Sequence, residues 1–196
     1  MNQTEHILVV PRSAIIDEAV PHYGLKVGSC DTYLERIRYN QQFLPRFLME
    51  TDPLYKQIIP YLVFKYQNLY FVMQRKKTAS ESRLQSKFTL GIGGHIRQED
   101  MDHNSMIEWA RREFYEEVYY NGTFVVEPVG LINDDTDLVG QVHLGFLFIL
   151  HADSADIAVK SELQSGQLMT LAACSALKDK MESWSAFVVE YLEALV

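Results

Sequence analysis

The sequence predicts an α/β fold in which helices pack on a mixed β-sheet. Three observations carry this expectation. Two runs rich in branched and aromatic residues, 61–66 and 69–75, are separated by only Gln67-Asn68, the pattern of a β-hairpin. A stronger buried strand is spelled by the apolar run from His143 to His151. Between them, Ile107, Ala110, Phe114 and Val118 recur at helical spacing and form a face that can bury against the sheet. The chain has 196 residues, 47% apolar and 22% charged, enough to close one compact core. No internal repeat, low-complexity tract or composition break divides it, so a single domain is expected.

The elements follow in order. Ile7-Leu8-Val9-Val10 is a short strand stopped by Pro11, and Pro21, Gly24 and Gly28 mark a loop with short turns. Asp31 is placed to cap helical segments carrying Leu34, Ile37, Phe43 and Leu44, which Pro45 interrupts and Pro53 closes. After the hairpin, Lys76 to Lys87 is polar and reads as a solvated loop whose basic residues can still face a substrate. Phe88-Thr89-Leu90 leads into Gly91-Ile92-Gly93-Gly94-His95-Ile96, where missing β-carbons let the backbone turn sharply or approach a ligand. The next helix opens on a capping-box pattern, Ser105 with Glu108, and Asn121-Gly122 supplies its stop. Residues 124–126 and 129–132 are short strands around Pro128, and 168–171 is a last strand. Trp184, Phe187, Val188, Tyr191 and Leu192 have the spacing of a C-terminal helix.

Charge and composition exclude several classes of function. Eighteen basic and 26 acidic residues give a net charge of -8, which disfavours nonspecific attraction to a nucleic acid polymer; phosphate recognition needs a local site or a metal. The longest apolar stretches, such as 144–150, fall well short of the roughly 20 residues that span a bilayer, so no membrane partner is expected. Residues 1–6 show neither a basic leader nor a long apolar block, and a cytoplasmic location is expected. Cys30 and Cys174 supply neither a disulfide framework nor a zinc-finger spacing and are expected to be reduced packing residues.

The informative stretch is Arg112-Glu113-Phe114-Tyr115-Glu116-Glu117-Val118. Spacings of three and four put Glu113, Glu116 and Glu117 on one side of a helix, where their carboxylates can converge. They lie in its second half, near the partially negative carboxyl end, where acidic groups are disfavoured. Two unit charges about 4 Å apart interact by roughly 1 kcal/mol in water and about 4 kcal/mol at an effective dielectric of 20, so the cluster resists full ionisation without a compensating cation. Arg112 can pair with Glu116 and Arg111 adds charge nearby, but a hard divalent cation satisfies several carboxylate oxygens at once, and Mg2+ or Mn2+ fits best. An arbitrary E-x-x-E-E on a helix is a solvated face with Arg-Glu pairs. Here a strand, a glycine-rich turn and an arginine precede it, and together they make the pattern specific.

With these residues the chain resembles the Nudix hydrolase superfamily, whose signature reads G-x5-E-x7-R-E-U-x-E-E-x-G-U, with U a bulky apolar residue. The matching positions are Gly94, Arg112, Glu113, Phe114, Glu116 and Glu117. Within the superfamily, the glycine-rich start and the Arg-Glu-Phe-Tyr-Glu-Glu-Val core look most like a little-characterised group of predicted phosphoesterases. The resemblance covers about residues 58–172, leaving an N-terminal extension, 1–57, and a C-terminal helical segment, 173–196, as candidates for a homodimer interface. Two departures matter. Gly94 lies 18 positions before Arg112 where the signature has 14, so its first glutamate falls on Asn104 counted back or Asp100 counted forward, with Glu99 and Asp102 close by. Tyr119 replaces the glycine after the acidic pair, and Gly122 is expected to end the helix instead.

The resemblance implies a Nudix-like α/β/α sandwich and a hydrolase that cleaves a phosphoanhydride bond in a small diphosphate, with nucleoside diphosphate derivatives foremost. It implies that Glu113, Glu116 and Glu117, with the Gly94 carbonyl, surround Mg2+ or Mn2+ while Arg112 orients the carboxylates. Glu116 and Glu117 are then the primary ligands, and Glu113 is a ligand or the water-activating base. His95, His143 and Asp135 are the expected substrate contacts. Each has a structural alternative: a turn hydrogen bond for His95, a core position for His143, and a solvated acidic turn for Asp134, Asp135 and Asp137, which are also candidates for an outlying general base. Tyr61, Tyr66, Tyr70 and Phe71 can stack on a base, although in strands such residues pack the core. A non-catalytic nucleotide or sugar-phosphate sensor and a diphosphate isomerase stay open on the same scaffold; neither cysteine sits in a catalytic motif, which counts against the isomerase.

Overall fold

Alternation along the central strands sorts the apolar residues into two layers. In β4 (Tyr55–Tyr66), Ile58, Leu62 and Phe64 join one core while Tyr61 and Val63 join the other. In β10 (His143–Ala152), Leu144, Phe146, Phe148 and Leu150 oppose Leu147 and Ile149 in the same way. The computed structural model, which describes residues 5–19, 22–75, 87–99, 106–160 and 163–196, pairs these strands in parallel from His143–Gln57 to Ala152–Tyr66. The sheet runs β12 (Leu163–Thr170), β5 (Leu69–Arg75), β4, β10, β9 (Phe124–Asn133) and β2 (Gly24–Val27). The second edge of β4 is shared along its length. There β1 (His6–Pro11) pairs with 55–57, β7 (Gly91–Gly93) with 61–63 and β5 with 65–66. In addition β3 (Gln42–Pro45) pairs with β1, and β6 (Phe88–Thr89) with β5. A separate ribbon joins β8 (Val118–Tyr120) to β11 (Ile157–Val159).

Helices cover both faces, giving the expected α/β/α arrangement. α2 (Cys30–Asn40) and α4 (Met106–Glu117) bury Tyr33, Ile37, Trp109, Ala110 and Phe114 in one layer. α6 (Leu171–Ala176) and α7 (Ser183–Glu193) bury Cys174, Val188, Val189 and Leu192 in the other. Three single-turn helices, α1 (Arg12–Ile15), α3 (Arg46–Met49) and α5 (Leu138–Val142), join strands. The segment before residue 58 thus supplies three strands of the sheet, and the segment after 172 closes one face. No helix among the described residues is long and apolar enough to cross a membrane.

The hairpin turns at Gln67-Asn68, with Gln67 in the left-handed region (φ 54°). Other expectations change where long-range pairing outweighs local signals. Phe43 and Leu44 are not helical: they lie in β3 opposite Leu8 and Ile7, because α2 stops at Asn40 and β1 offers an unpaired edge. Asp31 falls in the first turn of α2, not at its cap. The loop expected between Pro21 and Gly28 contributes β2, paired with β9. β4 starts at Tyr55 and runs through Pro60, which falls between its stretches of pairing with β1 and β7, where a missing N–H is tolerated. The two short strands around Pro128 are one, β9, with the proline at a register shift opposite Phe148. α4 ends at Glu117, not near Gly122, because Val118 is drawn into the core and starts β8. Residues 76–86, the Ser105 cap, Asp100, Asp102 and Asn104 lie outside the described residues.

Candidate functional site

The acidic helix is positioned by its apolar side. Phe114 is fully buried, stacked on Phe64 (centroids 6.1 Å apart, planes at 10°) and edge-on to Phe124 at 5.3 Å. Met106, Trp109 and Ala110 are buried beside it. Truncating such a phenylalanine costs about 3–5 kcal/mol, so the rotation of α4 about its axis is firmly set. Glu113, Glu116 and Glu117 then occupy an arc of about 100° and line one cavity.

The glycine turn meets them there. A Cβ built on Gly94 would lie 2.1 Å from Glu113 Oε2 and 2.3 Å from its Cδ, so only a residue without a side chain lets the turn press against that carboxylate. Arg112 locks the contact. Its Nη2 donates to Glu113 Oε1 and its Nη1 to Glu116 Oε1, each at 2.8 Å, and Nη2 also reaches the His95 carbonyl at 3.4 Å. Burial pushes the Glu113 carboxyl above its ordinary range, helped by Glu116 and opposed by Arg112 and Arg97.

The cavity measures about 450 Å³ and contains Gly94, His95 and the three glutamates. Its remaining wall was not foreseen from sequence: Glu5, Arg46, Arg97, Tyr119 and Lys160. Lys160 also answers the electrostatic problem at the carboxyl end of α4. Its backbone N–H donates to the Glu117 carbonyl at 2.8 Å, its Nζ donates to the Tyr115 carbonyl, and the ammonium lies 4.9 Å from the centre of the Tyr119 ring. A cation from the end of β11 thus ends the helix where the signature would place a glycine. No local signal in the sequence marks Lys160 or Glu5; Arg97, three residues after Gly94, and Tyr119, at the signature's glycine position, lie near the motif.

The donor chemistry suits a hard divalent cation. Three carboxylates share one cavity, and the bare Gly94 backbone lies against one of them. Among the described residues no three His, Cys, Asp or Glu side chains are already drawn together tightly enough to hold an ion; Arg112 supplies the compensating charge for Glu113 and Glu116.

The other expected contacts are placed differently. His95 lines the cavity, with its Nε2 2.8 Å from Gln57 Oε1 and 3.3 Å from His143 Nε2. The Gln57 amide donates to the Met49 carbonyl, so its Oε1 accepts and His95 carries its proton on Nε2. Burial, then Arg46, His143 and Arg97, pulls the His95 pKa well down and keeps the ring neutral. His143 is not among the lining residues; its Nδ1 donates to the Val139 carbonyl at 2.7 Å, and its Nε2 lies behind His95, which does line the cavity.

Asp135, expected among the substrate contacts, closes an ion cluster around buried Lys56, outside that lining. It accepts from Arg12 Nη2 (2.6 Å) and Nη1 (3.1 Å), from Lys56 Nζ (2.7 Å) and from Asn133 Nδ2 (2.9 Å). Lys56 is 0% exposed and requires that anion. Burial alone would raise the Asp135 carboxyl, but the bonds from Arg12, Lys56 and Asn133 hold it well below the ordinary carboxylate range. Asp134 takes the backbone and hydroxyl of Thr136, and Asp137 caps α5 through Gly140 N at 2.7 Å. The strand aromatics pack: Phe71 and Tyr70 are buried, and the Tyr61 hydroxyl shares a hydrogen bond of 2.8 Å with Ser185. Both cysteines are free thiols, Cys174 buried and Cys30 half-buried.

No protein-family model matches the chain. It is 33% identical over 202 residues to Protein YmaB of Bacillus subtilis (strain 168), covering 96% of this chain and 98% of that protein. Its fold superposes on the crystal structure of Tm1382, described as a proposed Nudix hydrolase, with a TM-score of 0.80 and 27% identity, over 98% of this chain and 100% of the other. The Nudix domain of Shewanella oneidensis NrtR, in complex with ADP-ribose, matches with a TM-score of 0.57 over 72% of this chain and 89% of that one; at 13% identity it speaks for the fold alone.

Proposed function

We propose that this chain, a member of the Nudix superfamily by its fold, is a divalent-metal-dependent hydrolase cleaving the phosphoanhydride bond of a small diphosphate, with nucleoside diphosphate derivatives as the first class to test. The observation that carries this reading is the contact between Gly94 and the Glu113 carboxylate, on the cavity that also receives Glu116 and Glu117. Such an arrangement is built for oxygen coordination of a cation. A solvated helix face would have no use for a turn that excludes even a methyl group.

Glu116 and Glu117 would hold the ion, with the Gly94 carbonyl completing its protein donors and Glu113 serving as the water-activating base. Bound Mg2+ or Mn2+ supplies charge neutralisation of the diphosphate and a lowered pKa for the attacking water. Arg112 holds Glu113 Oε1 and Glu116 Oε1 in place. Glu113 Oε2, the oxygen facing Gly94, is then the proton acceptor when water attacks phosphorus. The P–O bond to the bridging oxygen breaks in line, and the leaving phosphate carries off that oxygen. His95, neutral and fixed by Gln57, offers a polar contact on the same cavity.

Purified protein incubated with Mg2+ or Mn2+ and a panel of nucleoside diphosphate derivatives is expected to release phosphate, a monophosphate or a phosphorylated product from at least one of them. Glu117→Gln should lower that rate by about 100-fold or more. Ligand binding without turnover across the panel would replace the hydrolase by a sensor. Rearrangement of the ligand without phosphate release would replace it by an isomerase.

A further inference from the structure

The cavity also contains two arginines that the Nudix signature does not account for. Main-chain pairing puts them there. On one side of β1, Arg46 N donates to the Glu5 carbonyl at 2.9 Å, next to the pairing of His6 with Pro45. On the other side, Leu8 N donates to the Ile96 carbonyl at 2.8 Å and Ile7 bridges to Arg97. Glu5 is therefore held between the two arginines, and its carboxylate spans them: Oε2 is 3.2 Å from Arg46 Nη1 and Oε1 is 3.3 Å from Arg97 Nε. Arg46 also meets Glu50 Oε1 at 3.0 Å. The side chain of Glu5 is only 19% exposed, whereas Arg46 and Arg97 are 35% and 38% exposed.

A carboxylate bridging two guanidinium groups occupies the place that phosphate oxygens fill best, because each fork presents fixed, charge-assisted donors. We propose that Arg46 and Arg97 form a phosphoryl seat for the phosphate that is not held by the acidic helix, and that Glu5 is the resident anion this phosphate displaces. The seat rests on the phosphoanhydride reading above and extends it to residues outside the signature. Substrate brings several negative charges into a lining that already holds four glutamates. Outward rotation of the Glu5 side chain removes one of them and releases two cationic donors as the phosphate arrives. Only side-chain torsions need to change, since the Glu5 backbone stays tied to Arg46 N. A terminal phosphate carries close to two charges at neutral pH and a capped one carries a single charge, so the seat favours a ligand with a terminal phosphate.

The test is calorimetric binding of α,β-methylene-ADP, which resists hydrolysis at its bridging carbon, to the full chain in Mg2+, with thermal melting as the fold control. Arg46→Gln and Arg97→Gln are each expected to weaken binding about tenfold, the loss of one charge-assisted contact. Glu5→Gln should tighten it severalfold, and Arg97→Lys should retain part of the affinity. ADP-ribose, with both phosphates capped, should lose less in the same variants; equal losses would mean that the seat takes any phosphoryl group. Unchanged affinity in both Arg→Gln variants, weaker binding in Glu5→Gln, or no binding of either ligand to the wild-type chain would overturn the seat. Failure of the hydrolase reading looks different: arginine-dependent binding with neither phosphate released from ADP nor AMP and ribose 5-phosphate released from ADP-ribose.

Discussion

A Gly94→Ala substitution adds a single carbon where the Glu113 carboxylate now lies. The new Cβ would stand 2.1 Å from Oε2, and ordinary contact begins at 3.4 Å, so the carboxylate must retreat by about 1.3 Å. For the fold this is inexpensive. The displaced atoms are the end of a side chain, and Gly94 is not among the glycines with a left-handed backbone. Stability should fall by about 1 kcal/mol or less, roughly 2–4 °C in a chain of this length. For function it is severe, because the retreat pulls Glu113 from the turn and disturbs the Arg112 fork shared with Glu116. A misplacement of about 1 Å costs on the order of 100-fold in rate, or about 2.7 kcal/mol of transition-state stabilisation. Steady-state hydrolysis of the best diphosphate, measured beside a thermal melt, decides the matter. A folded Gly94→Ala protein with wild-type kcat would refute the role given to the contact. A large loss of melting temperature would refute the claim that the turn absorbs the change.

Other perturbations separate structural charges from functional ones. Asp135→Asn leaves fully buried Lys56 without its carboxylate and Arg12 with Glu18 alone, and should cost about 3 kcal/mol or more, on the order of 10 °C by thermal melting; an unchanged melting temperature would remove Asp135 from the ion cluster. The same group sets a pH dependence. Its folded-state pKa lies below the ordinary 3.8, so its contribution is complete above that value and is lost as pH falls through the folded pKa. Urea unfolding should therefore show stability declining from about pH 4 downward, with that part of the slope absent in Asp135→Asn. Lys160→Met removes the cation at the carboxyl end of α4 and should cost about 0.3–1 kcal/mol, with faster amide exchange where β8 leaves the helix and recovery in Lys160→Arg. Unaltered exchange in Lys160→Met would show that the β8–β11 pairing alone ends the helix.

Features written in neighbouring residues were legible without coordinates. The hairpin at Gln67-Asn68, the buried strand from His143, the amphipathic α4 and the C-terminal helix all follow from periodicity, because periods of two and 3.6 are set by backbone geometry. Spacing alone placed Glu113, Glu116 and Glu117 on one side of their helix, and all three line one cavity. Local reasoning failed where partners distant in sequence compete for the same residues. Phe43 and Leu44 have helical spacing, yet β1 recruits them as a strand. Asp135 sits in a motif-like acidic loop, yet two cations from the first third of the chain claim it.

By itself, then, the amino-acid order determined the alternation of strand and helix and the acidic helix face, since each depends on contacts within a few residues, whereas the contact of Gly94 with Glu113 is tertiary. Only the tertiary structure decided which charges share the cavity. Glu5, Arg46, Arg97 and Lys160 arrive there through strand register and interstrand hydrogen bonds. Electrostatic interaction depends on distance in space, and that distance is set by the pairing of β1 with β3, and with the segment after Gly94, rather than by any pattern along the chain.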